Sequence, residues 1–227
     1  MSDLQNFLDR ALANREDITI LEAGCGSASH FQFKQRARIT GIDVSEKQLQ
    51  RNNCLFKAIL GDVQYYDFAP ETFDVIICWA VLEHLPRPEL ALNKFKRAVK
   101  KDGYIVLQTP NIFSLKGLMT KFTPLRFHTW YYKNLFGRKK AGQDDVGPFK
   151  TYLRRTIAPD QIRKFAAQNG LQTVFFEKGD LGDKAYWKRK NRAGRFFIRV
   201  YNALRALGKF VSLGKLGDSD FIIVLKK

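Results

Sequence analysis

Short apolar runs alternate with helical patterns through five cycles in the first half of this chain, and that alternation leaves few folds open. Residues 18–21 form a β-branched run that ends at Glu22 and enters Gly24-Cys25-Gly26. Residues 38–42 end at Asp43, residues 55–60 end at Gly61-Asp62, and residues 73–79 are apolar without interruption, as a strand buried on both faces requires. Between them, capping-box spacing at Ser2-Asp3-Leu4-Gln5 predicts a helix to about Asn14, and Ser45-Glu46-Lys47-Gln48 opens another. Pro88 suits a first helical turn, residues 89–100 place Leu92, Phe95 and Val99 at helical spacing, and Lys101-Asp102-Gly103 reads as a stop before a fifth strand at 104–108. Pro159 opens a further helix, followed by strands at 171–176 and 221–225. The expectation is an α/β fold, one domain over residues 1–227 with a doubly wound, mostly parallel sheet of seven strands. Residues 111–158 and 178–219 do not fit the alternation and read as two insertions, rich in basic and aromatic residues.

In such a sheet ligands bind at the carboxyl ends of the strands, and here those ends are chemically marked. Glycines after the first strand let the backbone bend sharply and approach a ligand without a Cβ in the way. Asp43, about twenty residues on, can accept both hydroxyls of a ribose, and Asp62 with the Val63 N–H can read an adenine edge. Each signal alone is weak, because a carboxylate at a strand end is often only the N-cap of the next helix. Their order on three consecutive strands points to an adenosyl ligand. A dinucleotide fits less well: the last glycine of G-x-G-x-x-G is replaced by Ser29.

The run Ile20-Leu21-Glu22-Ala23-Gly24-Cys25-Gly26 resembles the first motif of class I S-adenosylmethionine-dependent methyltransferases. Gly41-Ile42-Asp43-Val44-Ser45, Gly61-Asp62-Val63, Phe73-Asp74-Val75-Ile76, Leu82-Glu83-His84-Leu85, Lys101-Asp102-Gly103-Tyr104 and Gln108-Thr109-Pro110-Asn111 resemble the later ones. The similarity covers residues 16–111 and, less specifically, the last two strands. It is nearest the group holding the ubiquinone-pathway O-methyltransferases and other small-molecule enzymes. The resemblance implies a sheet order of 3-2-1-4-5-7-6 with strand seven antiparallel, S-adenosylmethionine as cofactor and S-adenosylhomocysteine as product. It also implies that Glu22 with the Gly24, Cys25 and Gly26 backbone holds the methionine moiety, that Asp43 with Val44 binds the ribose, that Asp62 with Val63 binds the adenine, and that the backbone near Trp79 lines the sulfonium end. Two positions depart from the pattern: Ala28 stands where a glycine is usual, and Ala80 where the ubiquinone-pathway enzymes carry a further acid, so no required metal is expected.

Methyl transfer to a hydroxyl needs alignment and removal of a proton. His84 is the candidate base with Glu83 as its orienter, set against a purely structural role for the pair in fixing the loop after strand four. His128, in the first insertion beside Tyr131 and Tyr132, is a further candidate whose bland reading is packing of an aromatic lid. Cys78-Trp79-Ala80-Val81 lacks the Asn/Asp-Pro-Pro-aromatic signature of methylation at planar amino groups of nucleic acids, which leaves oxygen as the preferred acceptor atom.

Charge narrows the partners. Residues 1–93 carry 9 Lys and Arg against 13 Asp and Glu, whereas residues 94–227 carry 30 against 9. Ten Lys and Arg and no acid lie between Lys184 and Lys215, where Phe197, Val200, Tyr201, Leu204, Leu207 and Val211 share a helical face and Arg192, Arg195 and Arg199 form a separate stripe. A basic amphipathic helix suits an anionic membrane surface, and equally a lid packed on the core. RNA would match the charge, but no RNA-binding module is present. The expected acceptor is small, amphipathic, lipid-linked or glycan-type. Three scattered cysteines without a C-x-x-C pair, and no secretory pattern at residues 1–5, lead to the expectation of a cytoplasmic protein, peripheral at the inner face of a membrane if the basic helix meets lipid.

Overall fold

Strand β4 (Phe73–Trp79) is buried along its whole length until Trp79, and the rest of the chain is arranged around it. In this computed structural model, residues 2–29, 31–134, 137, 139–143, 145, 147–179, 199–204, 206–207 and 217–227 are described, residue 131 by its backbone alone. The chain runs α1 (Ser2–Ala11), β1 (Asp17–Ala23), β2 (Arg36–Asp43), α2 (Glu46–Arg51), β3 (Lys57–Leu60), β4, α3 (Pro88–Ala98), β5 (Val99–Pro110), α4 (Leu115–Phe122), α5 (Leu125–Asn134), α6 (Pro159–Gln168), β6 (Gln172–Gly179) and β7 (Asp220–Lys226). The sheet order is β3-β2-β1-β4-β5-β7-β6, with β7 antiparallel to both neighbours, as the resemblance implied.

The period-two pattern of the strands divides the apolar side chains between two faces. Leu21, Ala23, Ile76, Cys78, Ile105, Leu107 and Ile223 meet Leu92 and Phe95 of α3 and Ile162 and Ala166 of α6. Ile18, Ile20, Val75, Ile77, Val106, Ile222 and Val224 meet Leu4 and Leu8 of α1 and Leu12 just after it. Helices on both faces make the sheet doubly wound, and each large side chain buried this way contributes roughly 1.5–3 kcal/mol. At the amino ends, the Asp74 carboxylate ties β4 to Arg15, Lys100 and the Thr19 N–H and hydroxyl.

Several boundaries differ from the sequence reading. Helix α1 ends at Ala11, short of Asn14, because Ala13 and Arg15 donate in tight turns to Arg10 and Leu12. Helix α3 ends at Ala98, and Val99, expected on a helical face, already pairs with Phe73 as the first residue of β5. The next aligned pair is Val75 with Tyr104, so Lys101-Asp102-Gly103 is a bulge inside the strand rather than a turn before it. Asp102 there has φ +57°. The first insertion contains two helices, α4 and α5, that its sequence did not announce. Of the second, residues 199–204 and 206–207 are helical, with Val200, Leu204 and Leu207 exposed, and Arg192, Arg195, Phe197 and Val211 lie outside the described residues. No helix among the described residues is long and apolar enough to cross a membrane.

Candidate active site

At the end of β1, the Gly24 and Cys25 N–H groups both donate to the Ile42 carbonyl, at 2.8 and 3.2 Å, and this extends the β1–β2 pairing into the turn. Gly24 has φ +69°, and a Cβ on it would lie 2.3 Å from Val81 Cγ2, so the position excludes any side chain twice over. Gly26, at φ +56°, has nothing within 4 Å of where its Cβ would point: the loop presents bare backbone to open space. Asn52, buried after α2, donates to the Gly26 carbonyl at 3.2 Å and holds the loop from below.

Asp43 closes the other side of this cradle. Its Oδ2 accepts from the Gly26 N–H and its Oδ1 from the Ser45 N–H, both at 2.9 Å. A carboxylate has about four acceptor positions, so each oxygen keeps one for a ribose hydroxyl. Val44 next to it is exposed, free to cover an adenosine ring. Asp62 accepts from the Gln64 N–H at 2.8 Å and from the Gln64 amide, which in turn accepts from the Arg87 N–H at 2.9 Å. Val63 packs its side chain into the core, which leaves its backbone for recognition. Glu22 is buried and accepts from Ser29 Oγ at 2.8 Å, so the serine in place of a glycine serves to orient that carboxylate. Between Glu22 and Asp43, burial first and their two charges second push the Cys25 thiol up to about 12, and it stays an inert thiol at neutral pH. These groups fit an adenosyl ligand: a bare backbone loop, a clamped carboxylate and a second carboxylate one strand further out.

After β4 the chain makes a single 3-10 turn at Leu82–His84. His84 Nδ1 donates to the Lys150 carbonyl at 2.8 Å, which fixes the tautomer and leaves the Nε2 lone pair as acceptor. Burial lowers its pKa against the raising effect of that carbonyl, so the ring is neutral at pH 7. The orienter is therefore the Lys150 backbone and not Glu83, whose carboxylate turns away to accept from Thr109 Oγ1 at 3.3 Å. That part of the sequence reading is corrected: adjacent residues on a 3-10 turn point in different directions. Burial pushes the Glu83 carboxyl up to about 7, against the opposing pull of its own N–H, Thr109 and Lys116, which is itself paired with Asp220 at 2.8 Å.

A folded-state pKa above the usual carboxylate value means that Glu83 supports folding below pH 4.5 and loses that support as pH rises through about 7. Glu83→Gln removes the burden of a buried charge. It is expected to raise unfolding stability by about 2 kcal/mol at pH 8 and by little at pH 5, read by denaturant titration at the two pH values. A larger gain at pH 5 than at pH 8 would contradict this assignment.

The first insertion returns over these groups. Asp145 Oδ2 accepts from Ser45 Oγ at 2.8 Å, the Phe149 ring stands edge-on to His84 at 5.8 Å, and the Tyr152 and Leu153 N–H groups donate to the Glu83 carbonyl. Residues 145 and 147–153 thus run from the turn after β2 to the turn after β4. His128, by contrast, is tied through Nε2 to Thr123 Oγ1 at 2.8 Å and touches Phe127; these contacts lie within α4, α5 and the turn between them. Among the described residues no cluster of His, Cys, Asp and Glu has the makings of a metal site. An open surface hollow of about 530 Å³ lies at the amino ends of β1 and β2, beside Asp9, Arg15, Lys34 and Arg36, at the opposite end of the sheet from the marked strand ends. Sequence reasoning missed Asn52, Gln64, Lys150 and Asp145. Only Gln64, two residues after a strand-end carboxylate, left a local signal.

A family model described as a methyltransferase domain matches residues 2–173. A ubiquinone biosynthesis O-methyltransferase of Nitrosomonas europaea is 28% identical over 116 residues, which cover 47% of this chain and 49% of the relative. The chain therefore spans about half the length of the curated relatives it matches. Among solved structures, a SAM-dependent methyltransferase from Archaeoglobus fulgidus superposes with a TM-score of 0.52 at 19% identity, covering 100% of this chain and 94% of that one. Phosphoethanolamine N-methyltransferase 2 of Haemonchus contortus, solved in complex with S-adenosyl-L-methionine, gives 0.55 at 12% identity, over 100% of this chain and 52% of that one. The family model spans the glycine cradle, both strand-end carboxylates and the turn that carries His84, and with the sheet order it makes this chain a member of the methyltransferase-domain family, built on the class I S-adenosylmethionine-dependent fold.

Proposed function

We propose that this protein transfers the methyl group of S-adenosylmethionine to an oxygen of a small, amphipathic acceptor, lipid-linked or glycan-type, and releases S-adenosylhomocysteine. The observation that carries the cofactor assignment is the Asp43 carboxylate, clamped between the Gly26 and Ser45 N–H groups with acceptor capacity left over. When bound, the cofactor supplies a methyl group on an electron-poor sulfonium. The chain's own work is to grip the ribose through Asp43 and the adenine through Asp62 and Val63, and to present bare backbone at Gly24–Gly26. Oxygen as the acceptor atom is supported by the neutral His84, whose Nε2 can take a hydroxyl proton, and by the O-methyltransferase relatives.

An anionic lipid surface is the proposed partner, met from the cytoplasmic side. Helices α4 and α5 leave Met119, Phe122, Leu125, Phe127 and Trp130 exposed, Phe122 by 77%. Residues 111–143 contain seven Lys and Arg and no Asp or Glu. Each basic residue near an anionic leaflet adds about 1 kcal/mol, and apolar side chains beside them can enter the headgroup boundary. Vesicles containing phosphatidylglycerol are expected to sediment the protein at low salt and less at physiological salt, neutral vesicles not at all, with Phe122→Ser plus Trp130→Ser abolishing the effect. No sedimentation under any condition would move the search to soluble acceptors. Methyl label from S-adenosylmethionine appearing in RNA, with tight salt-sensitive RNA binding, would replace this reading with an RNA-directed one.

A further inference from the structure

Gln108 is 6% exposed, and its Oε1 is buried with no hydrogen-bond partner. No hydrogen bond of its carboxamide is seen among the described residues, whereas its backbone lies in the sheet between Trp79 and Ile222 and its carbonyl accepts from the Ala80 N–H at 3.0 Å. Buried side-chain acceptors in native folds are nearly always paired, and one that is not calls for a physical reason. Its location supplies one. Gln108 is two residues from the carboxyl end of β5 and aligned with Trp79 of β4. Aligned residues of neighbouring strands point to the same face, and the pairs Val75–Tyr104 and Ile77–Val106 below them both face α1. Glu22, aligned with Ile77, shares that face too.

Going across the sheet at the level of the glycine cradle, one meets Asp43, then Gly24 with Glu22 two residues below it, then Trp79, then Gln108. Strands are about 4.8 Å apart, so Gln108 lies one spacing beyond the strand expected to line the sulfonium, on the side away from the ribose carboxylate. A methyl acceptor must come within about 3–3.5 Å of the transferring carbon, and the room for its body lies in that direction. We propose that Gln108 is the acceptor-binding residue: its carboxamide oxygen receives a hydrogen bond from a hydroxyl of the molecule to be methylated. This rests on the methyl-transfer reading for what the ligand is.

The chemistry narrows the ligand class. A carboxamide offers one acceptor and one donor without net charge, and it complements a neutral hydroxyl rather than a carboxylate or phosphate. The neighbouring surface is aromatic: Trp79 packs edge-on against Phe31 at 5.3 Å. Such walls suit a flat or apolar body carrying hydroxyl groups, which agrees with an amphipathic acceptor and disfavours a free sugar phosphate.

The test uses Gln108→Leu, close in shape and without polar atoms. A glutamine that holds the fold together is destabilising to replace, whereas an idle buried acceptor is neutral or better to remove. Three measurements on the full chain decide: thermal melting without ligand, calorimetric S-adenosylmethionine affinity, and transfer of tritiated methyl from the cofactor into the small-molecule and lipid fractions of a cell extract. The expected result is a melting temperature equal to or above wild type, cofactor affinity within twofold, and incorporation lowered roughly 10- to 100-fold. Melting lowered by several degrees would make the side chain structural. Cofactor affinity lowered tenfold would place it in the cofactor site. Undiminished incorporation would overturn the assignment while leaving methyl transfer intact. A wild-type protein that binds the cofactor and labels nothing would overturn the methyl-transfer reading, and the ligand assigned to Gln108 with it.

Discussion

Asp43→Ala is expected to weaken S-adenosylmethionine binding at least 100-fold. Two losses add in this one substitution. The ribose hydroxyls lose a charged acceptor, and hydrogen bonds to charged groups contribute roughly 1.5–3 kcal/mol each. The Gly26 and Ser45 N–H groups lose the carboxylate that both donate to, so the glycine cradle and the first turn of α2 are no longer tied together. A total of about 3–5 kcal/mol corresponds to a factor of 10² to 10³ or more in Kd. Asp43→Asn separates the two effects: it keeps one carbonyl oxygen for a single N–H and should give an intermediate affinity. Calorimetry measures both, with melting curves to show that each variant is folded. Asp43→Ala with unchanged affinity would remove this residue from the site and leave the three marked strand ends as helix caps. That second outcome is a physical one, since Ser45 does cap α2 by accepting from the Gln48 N–H.

Much of this site is local, and that is why it was legible. A carboxylate at the last position of β2 and another just past β3 are one-dimensional features, and once the strands are parallel they fall on one edge. The same logic gave the glycine turn, because a tight exit from a buried strand has few solutions. What the sequence could not show is every contact spanning long separations. Asp145 reaches Ser45 across 100 residues, and the Lys150 carbonyl reaches His84 across 66. A backbone carbonyl has no residue-type signature at all, so the true orienter of His84 was invisible, and the adjacent acid, Glu83, looked like the obvious partner. The bulge at 100–103 was hidden for a related reason: Lys101-Asp102-Gly103 has turn chemistry, and only the pairing of Val99 with Phe73 shows that the strand begins before it. Helices α4 and α5 escaped notice because their apolar side chains are largely exposed. A period that is not buried gives no contrast with its surroundings.

Those long contacts change what the first insertion is. Its residues 145 and 147–153 touch Ser45 just after Asp43, set Phe149 edge-on to the His84 ring, and fix the Glu83 backbone through Tyr152 and Leu153. The candidate base is thus held by the same segment that contacts Ser45, two residues after the carboxylate proposed to bind the ribose. The exposed helices α4 and α5 precede that segment in the same insertion. Charge, apolar exposure and the contacts to His84 therefore belong to one insertion, and the acidic first half carries the glycine loop and the carboxylates proposed to hold the cofactor.

His84→Gln then has the second large effect. Removing a positioned general base typically costs 10² to 10⁴ in rate, and the same loss is expected here in labelled methyl transfer, with cofactor affinity unchanged. The pH dependence gives the sharper test. Burial holds the His84 pKa below its ordinary 6.5, so the wild-type rate should climb with pH through that lowered value as the ring loses its proton, and then level off. The residual rate of His84→Gln should lack this limb. Stability linked to the same group has the same sign: it is fully present above pH 6.5 and lost as pH falls through the folded-state pKa, because the neutral ring suits its half-buried place better than the charged one. A structural role would look different. If His84 only anchored residues 147–153 through Lys150, the carboxamide N–H introduced by His84→Gln could reach the same carbonyl, the rate would survive, and the acid limb would remain in the variant. Retention of both rate and limb would therefore strip His84 of its role in proton transfer and leave another base or the acceptor's own ionisation to account for the lost proton.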